Sequence, residues 1–256
     1  MTEDLLFETR DGIGFVTFNR PRQRNAMTFE MYEGLAKICD DPGQGKDDVR
    51  ALVISGAGGA FAAGTDMSQF RAFSRPEDAW KYEDDMDVVL NRIEQCRIPT
   101  IAAITGACTG GGAAIAACCD LRITDARLKF GFPIARTLGN CLSVPSLARL
   151  SAILGQAKVR EIIFTSRLIE ADEALAAGLV MQITSDPLAR ATEIAQQMAG
   201  YAPLTLQVTK EGLRRLRNEG PTANDRDLIE TAYMSDDFKE GIEAFLGKRK
   251  PEFKGK

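Results

Sequence analysis

Ile98-Pro-Thr-Ile-Ala-Ala-Ile-Thr-Gly-Ala-Cys-Thr-Gly-Gly-Gly-Ala-Ala-Ile-Ala-Ala-Cys-Cys-Asp120 orders the rest of the chain around itself. An apolar, β-branched run over 98–104 stops at Gly106. The triplet Gly110, Gly111 and Gly112 follows, and then a small-residue apolar run over 113–119. That order predicts a buried strand, a tight glycine turn and a buried helix, and hence an α/β core. The first N–H groups of a helix lack intrahelical acceptors and favour negative charge. No Lys-Ser/Thr follows the glycines, so a phosphate-gripping P-loop is excluded. Gly110-x-Gly112 lacks the third glycine of a dinucleotide fingerprint. What remains is an anion site made of peptide groups, suited to a developing oxyanion.

The 256 residues, 45% of them hydrophobic, suffice for one large core, alone or with an appendage. No apolar run reaches the roughly eighteen residues of a bilayer span. The start, Met1-Thr-Glu-Asp-Leu-Leu6, has neither the basic region nor the apolar core of an export signal, so the cytoplasm is expected. Six irregularly spaced cysteines, Cys118 and Cys119 adjacent among them, read as buried reduced thiols. A net charge of −4 with dispersed signs gives no support for nucleic-acid or membrane-surface binding. The basic tail (Lys248, Arg249, Lys250, Lys254, Lys256) is a local exception that reads as a solvated, frayed end. The chain has no histidine, which removes Ser-His-Asp and Cys-His chemistry and the commonest zinc ligand. No metal is expected.

Working outward, strands are predicted over 5–9 and 13–18 around Asp11-Gly12, and a helix over 28–39 capped by Thr28. A buried strand over 51–55 leads into a glycine-rich loop over 56–66. A short helix over 67–73 is capped by Asp66. A long helix over 76–97 carries the acids Glu83, Asp84, Asp85 and Asp87 on what reads as a solvated face. Short strands over 121–124 and 128–130 follow, then mostly helix from 143, interrupted over 180–184. The last stretch, 203–256, reads as a projecting helical segment.

Two glycine-rich strand ends now stand in order, Phe61-Ala-Ala-Gly-Thr-Asp66 and Gly106-Ala-Cys-Thr-Gly-Gly-Gly112. Together they resemble the signature loops of the crotonase superfamily, the enoyl-CoA hydratase/isomerase family. The resemblance covers nearly the whole chain. It extends through Asn19-Arg-Pro-Arg-Gln-Arg-Asn-Ala26, Cys119-Asp-Leu-Arg-Ile123, Lys129-Phe-Gly-Phe-Pro133, Ala171-Asp-Glu-Ala-Leu-Ala-Ala-Gly-Leu-Val180 and the tail from Phe238 to Phe253. It implies a crotonase-like α/β spiral of β-β-α units over 1–200. A C-terminal helical region over 201–256 would support trimers or dimers of trimers. It implies an acyl-CoA thioester as ligand, with coenzyme A carried by the substrate and no separate cofactor.

On the matched positions, the N–H groups of Thr65 and Gly111 hold the thioester oxygen. Ala63 and its neighbours contact the adenine, and Arg24 lies near the phosphates. Phe245 and Lys248, from the adjoining subunit, cover the nucleotide. Ala26, Ala62, Asp66, Met67, Gly110, Ile134 and Arg136 complete the candidate substrate-binding set.

The pattern breaks at the acid–base positions. A hydratase of this family uses two glutamates to orient water; the matching residues here are Ala114 and Ile134. An efficient conventional hydratase is therefore not expected. Asn140 and Cys141 are candidates to face the acyl group, with Cys141 read rather as a buried thiol. Arg136 is either a carboxylate clamp or one half of a surface or interface ion pair. Asp66 is the carboxylate nearest in sequence to Thr65, and helix capping is its competing role. Asp120 ends the buried helix and is expected to make a structural hydrogen bond. Two functions stay open: an acyl-CoA-processing enzyme that stabilises a thioester enolate, and a CoA-thioester-binding protein without turnover. Peptide hydrolysis on a related spiral fold is disfavoured, since no histidine can activate a serine.

Overall fold

The computed structural model describes residues 3–45, 49–71 and 73–256. The first strands, β1 (Leu5–Arg10) and β2 (Ile13–Phe18), form an antiparallel hairpin. Asp11 and Gly12 both take positive φ, 52° and 72°, which matches the turn to the twist of the paired strands. In chain order the other strands are β3 (Ala51–Gly56), β4 (Thr100–Ile104), β5 (Ala107–Thr109), β6 (Leu121–Thr124), β7 (Lys129–Gly131) and β8 (Gln182–Ile183). A six-stranded sheet runs β1-β2-β3-β4-β6-β8, parallel throughout after the hairpin, and β5 pairs with β7 in a small parallel sheet.

Parallel neighbours need crossover connections. The helices α1 (Phe29–Asp40) and α2 (Pro76–Glu94) supply the first two, and α3 (Gly111–Cys118) lies between β5 and β6. Side chains of the central strands alternate between two cores, as the two-residue period requires. Leu52, Ile54, Ala102 and Ile104 join Phe18 and the faces of α1 and α3 in the larger core. After α4 (Ile134–Thr137), α5 (Val144–Phe164) and α6 (Ala171–Ala176) comes α7 (Pro187–Ala199). Its Ala191, Ile194 and Ala195 cover Val53, Ile101 and Ile123 on the opposite sheet face. The chain closes with α8 (Pro203–Glu219), α9 (Arg226–Tyr233) and α10 (Asp236–Leu246). No helix among the described residues is long and apolar enough to cross a membrane.

Asp120 makes the expected structural bonds, accepting from the N–H of Thr100 at 2.7 Å and pairing with Lys210 of α8 at 2.6 Å. Arg122 closes the C-terminus of α3 by donating to the carbonyls of Ala116 and Cys119. Thr28 and Asp66 cap as the sequence predicts.

Several expectations are corrected. Residues 107–109 form β5 where the sequence predicts only a glycine turn, because three residues among glycines carry no periodicity. α2 ends at Glu94, not Arg97. The turn after Asp66 is a single 3₁₀ stretch, Met67–Phe70. Five cysteines are buried, but Cys141 is exposed in the loop beyond α4. The basic tail is not frayed. It folds back on α10, where the carboxylate of buried Asp237 accepts from the N–H groups of Lys254 and Gly255 at 2.6 and 2.7 Å.

Candidate active site

The loop after β3 is fixed from three sides. Asn25, fully buried at a φ of 58°, donates its amide to the carbonyls of Ala57 and Ala60. The N–H of Ala63 bonds to the carbonyl of Arg24, and that of Ala62 to the carbonyl of Ala107. Met27 then donates to the carbonyl of Gly64 and accepts from the N–H of Asp66, both at 2.8 Å. With its neighbours committed to Met27, Thr65 presents its own N–H on the other side of the strand. None of the hydrogen bonds among the described residues engages it. Across from it, Gly110 takes a φ of 53°, its N–H bonds to the carbonyl of Gly131, and α3 begins at Gly111. The N–H of Gly111 belongs to the first helical turn and has no intrahelical acceptor. The loops are in van der Waals contact: a Cβ on Gly110 would stand 3.4 Å from the Cα of Gly64. Thr65, Gly110 and Gly111 line one cavity of about 300 Å³.

The need for glycine at 111 has a specific cause. A Cβ there would fall 1.8 Å from the hydroxyl of Tyr32. Tyr32 is buried on α1, and its hydroxyl lies 2.9 Å from Oγ1 of Thr65, which in turn lies 3.3 Å from the hydroxyl of Tyr82 on α2. Burial, then the neighbouring Tyr82, push the Tyr32 phenol upward, so it stays protonated at neutral pH. Three hydroxyls thus back the peptide groups of the cavity wall.

The far wall comes from α2, α4 and the loop leading into α5. Glu83, Met86 and Leu90, spaced i, i+3 and i+7, present one face of α2 to the cavity. This corrects the reading of Glu83 as solvated: it is half-buried. Burial, then the charge of Asp87, raise its carboxyl, against the opposing effect of the Ser143 backbone. Ala114 and Ile134 line the same cavity with alkyl groups only.

The predicted residues divide into several places. Thr65, Gly110, Gly111, Ala63, Met67, Ile134 and Asn140 line the cavity, as does Cys141. Ala62 is buried beneath it in a bridge to Cys108. Ala26 accepts from Arg20 through its carbonyl at 2.6 Å. Asp66 lies outside the lining; hydrogen bonds from Ser68, then from Arg20, hold its carboxyl below the usual carboxylate range. Arg24 and Arg136 are exposed, and neither lines the cavity. Phe245, 83% exposed, borders a separate groove of α8 and α10, and Lys248 follows it at a φ of 51°. Sequence reasoning missed Tyr32, Tyr82 and Glu83. The available signal was an acid in register with the apolar positions 86 and 90, and a tyrosine hydroxyl on the buried face of α1.

The model of the family described as enoyl-CoA hydratase/isomerase matches residues 8–256. The chain belongs to that family. It is 30% identical over 255 residues to the short-chain-enoyl-CoA hydratase of Clostridium acetobutylicum, covering 97% of each chain. Among solved structures it is similar to an enoyl-CoA hydratase/carnithine racemase from Magnetospirillum magneticum. That similarity has a TM-score of 0.90 and 32% identity, over 100% of this chain and 97% of the other. It is also similar to the enoyl-CoA hydratase of Bacillus anthracis, with a TM-score of 0.86 and 26% identity over 99% and 100%. The fold is thus the crotonase fold, and the chain is an acyl-CoA-processing enzyme of the family.

Proposed function

We propose that this family member binds an acyl-CoA thioester with its carbonyl oxygen between the N–H groups of Thr65 and Gly111, and stabilises an enolate there. The observation that carries this reading is the pair of uncommitted peptide N–H groups on one wall of one cavity. Charge that develops on a thioester oxygen is best held by donors already in place, each typically worth about 10²–10³ in rate. Coenzyme A enters as part of the substrate. Ala63 meets its adenine and Arg24 its phosphates, a reading supported by the exposure of Arg24 and its backbone bond to Ala63. The chain assembles as a trimer or a dimer of trimers, in which Phe245 and Lys248 cover the nucleotide of an adjoining subunit. A cytoplasmic location fits its six free thiols.

Efficient conventional hydration is not part of the reading. Each positioned acid or base contributes about 10²–10⁴, and Ala114 and Ile134 supply neither. Loss of conjugated-thioester absorbance from crotonyl-CoA is therefore expected at least about 100-fold below the median enzyme turnover of about 10 s⁻¹. The double variant Ala114→Glu/Ile134→Glu should exceed the parent. Fast hydration by the parent would overturn the reading, as would an unimproved double variant that still binds butanoyl-CoA. The same two alkyl side chains favour a second reading, a thioester-binding protein without turnover. Tight binding with no reaction across a panel of acyl-CoAs would establish that alternative.

A further inference from the structure

The acids of α2 are nearly all accounted for. Asp78 caps the helix through the N–H groups of Ser74 and Arg75. Asp85 pairs with Lys81, and Asp87 with the hydroxyl of Ser143 and with Arg149. Glu94 pairs with Arg217 and Arg149. Glu77 and Asp84 are exposed. Glu83 is different. It is half-buried, no cation among the described residues pairs with it, and it lines the cavity that Thr65 and Gly111 also line. A carboxylate loses solvation when buried, and that loss goes uncompensated by a cation here. It is also the one carboxylate in the described lining, where the other titratable side chains are Tyr32, Tyr82 and Cys141.

We infer that Glu83, on α2 and beside neither glycine loop, is the catalytic base and acid of this site, and that it serves the isomerase reaction the family's name already carries, on a β,γ-unsaturated acyl-CoA thioester. This inference rests on the thioester-binding reading above. The Glu83 carboxylate takes a proton from the α carbon; the C–H bond breaks and an O–H bond forms. The electron pair moves through the alkene onto the thioester oxygen, giving a dienolate at the Thr65 and Gly111 N–H groups. The Glu83 carboxylic acid then returns the proton to the γ carbon. The double bond settles between the α and β carbons, and Glu83 is again a carboxylate. Substrate and product have the same formula, and no water or co-reactant enters. One carboxylate suffices for a proton shift along three carbons, whereas hydration also needs a group to hold the attacking water. The remote position of Glu83 in the sequence, on α2 rather than beside either glycine loop, leaves the alkyl side chains of Ala114 and Ile134 free to pack against the acyl chain. Its half-buried setting suits it to both halves of the cycle, since burial raises its carboxyl and makes the carboxylate a stronger base toward the α carbon.

The test compares the parent, Glu83→Gln and the exposed neighbour Asp84→Asn with but-3-enoyl-CoA as substrate. Binding of unreactive butanoyl-CoA is measured by calorimetry alongside. The parent and Asp84→Asn should form the conjugated thioester. In heavy water, the product of the parent should keep the shuttled hydrogen at its γ carbon, with deuterium entering only where the Glu83 acid exchanges with solvent before the return. Glu83→Gln should lose about 10²–10⁴ in kcat, with KM and butanoyl-CoA binding within a few fold of the parent. A parent that fails to bind butanoyl-CoA sinks the thioester reading itself. A parent that binds but does not isomerise, or a Glu83→Gln variant that isomerises normally, leaves the thioester reading standing and overturns the role of Glu83. A fall of binding and kcat together in Glu83→Gln marks a structural residue and also overturns it.

Discussion

Gly111 sits where three demands meet. On the proposed reading its N–H stays free, its helix begins there, and its Cα faces a tyrosine hydroxyl at a distance that leaves no room for a methyl group. Glycine elsewhere commonly relieves positive φ, but Gly111 is helical, and the constraint is one of space alone. This makes the residue separable by experiment. Gly111→Ala drives a Cβ into the Tyr32 hydroxyl, so either the tyrosine or the turn must move, and the N–H donor with it. Turnover should fall about 10²–10³-fold, the effect of losing one oxyanion donor. Tyr32→Phe removes the colliding oxygen. The remaining neighbours of the new Cβ, the ring Cζ of Tyr32 and Oγ1 of Thr65, both lie at 3.1 Å. The double variant Tyr32→Phe/Gly111→Ala should therefore recover at least tenfold over Gly111→Ala alone, read as kcat/KM on one acyl-CoA. Equal activity of the single and double variants would show that the clash is not what damages the site.

At the scale of elements, α2 explains both what the sequence discloses and what it hides. Its amphipathic pattern, its start at Pro76 and the strand–helix alternation around it are carried by local composition, which is why most elements of the core are legible from the chain. The two glycine loops are legible for the same reason: glycine requirements leave marks at single positions. Glu83 is not legible in this way. Register with Met86 and Leu90 sets Glu83 and Asp87 apart from Asp84 and Asp85, but which of those two enters a cavity is decided by how α2 packs against the loop before α5. Tyr82 and Tyr32 are hidden likewise, since Thr65 brings their hydroxyls together from separate helices.

The far end of the same helix carries an ionic cluster with a definite pH signature. Burial raises the carboxyl of Glu94, but the hydrogen bond and charge of Arg217, with the charge of Arg149, outweigh burial and leave it below its usual value of 4.5. A carboxyl lowered by folding adds stability in full above its unfolded pKa and loses it as pH falls through the folded value. Glu83, raised by burial and by Asp87, runs the opposite way: its contribution is present at acid pH and is lost as pH rises through its folded value. Glu94→Gln should unfold at lower temperature than the parent at pH 7. The expected loss is about 1.5–3 kcal/mol, because it removes the carboxylate that Arg217 and Arg149 share and leaves Arg149, which is 3% exposed, with Asp87 as its remaining carboxylate. The gap should narrow as pH falls from the usual value of 4.5 through the lowered value of Glu94. A gap that stays constant from pH 7 to pH 3 would mean that the Glu94 charge contributes nothing to folding.

Over the whole molecule, the sheet and its two cores are finished surfaces, whereas the C-terminal helices are not. Leu213 and Leu216 on α8, Tyr233 on α9, and Phe245 and Leu246 on or beside α10 are each at least half exposed. The tail is already tied to Asp237 and Glu240 through Lys254, Gly255 and Glu252. Leu213 and Leu216 line a groove beside α3 and α5, and Tyr233, Phe245 and Leu246 a second groove among α8, α9 and α10, and exposed apolar side chains so gathered suit burial against another chain. Burying them against copies of the same chain recovers about 25 cal/mol for each Å² of apolar surface removed from water, before the losses of association. Sedimentation velocity at micromolar concentration should therefore give a mass of three or six chains. Leu213→Glu/Leu216→Glu should shift that mass toward one chain while leaving the far-ultraviolet circular dichroism unchanged, since these two side chains contribute little to either core. A parent that sediments as one chain at every concentration would refute the assembly, and would leave Phe245 and Lys248 without a neighbouring nucleotide to cover.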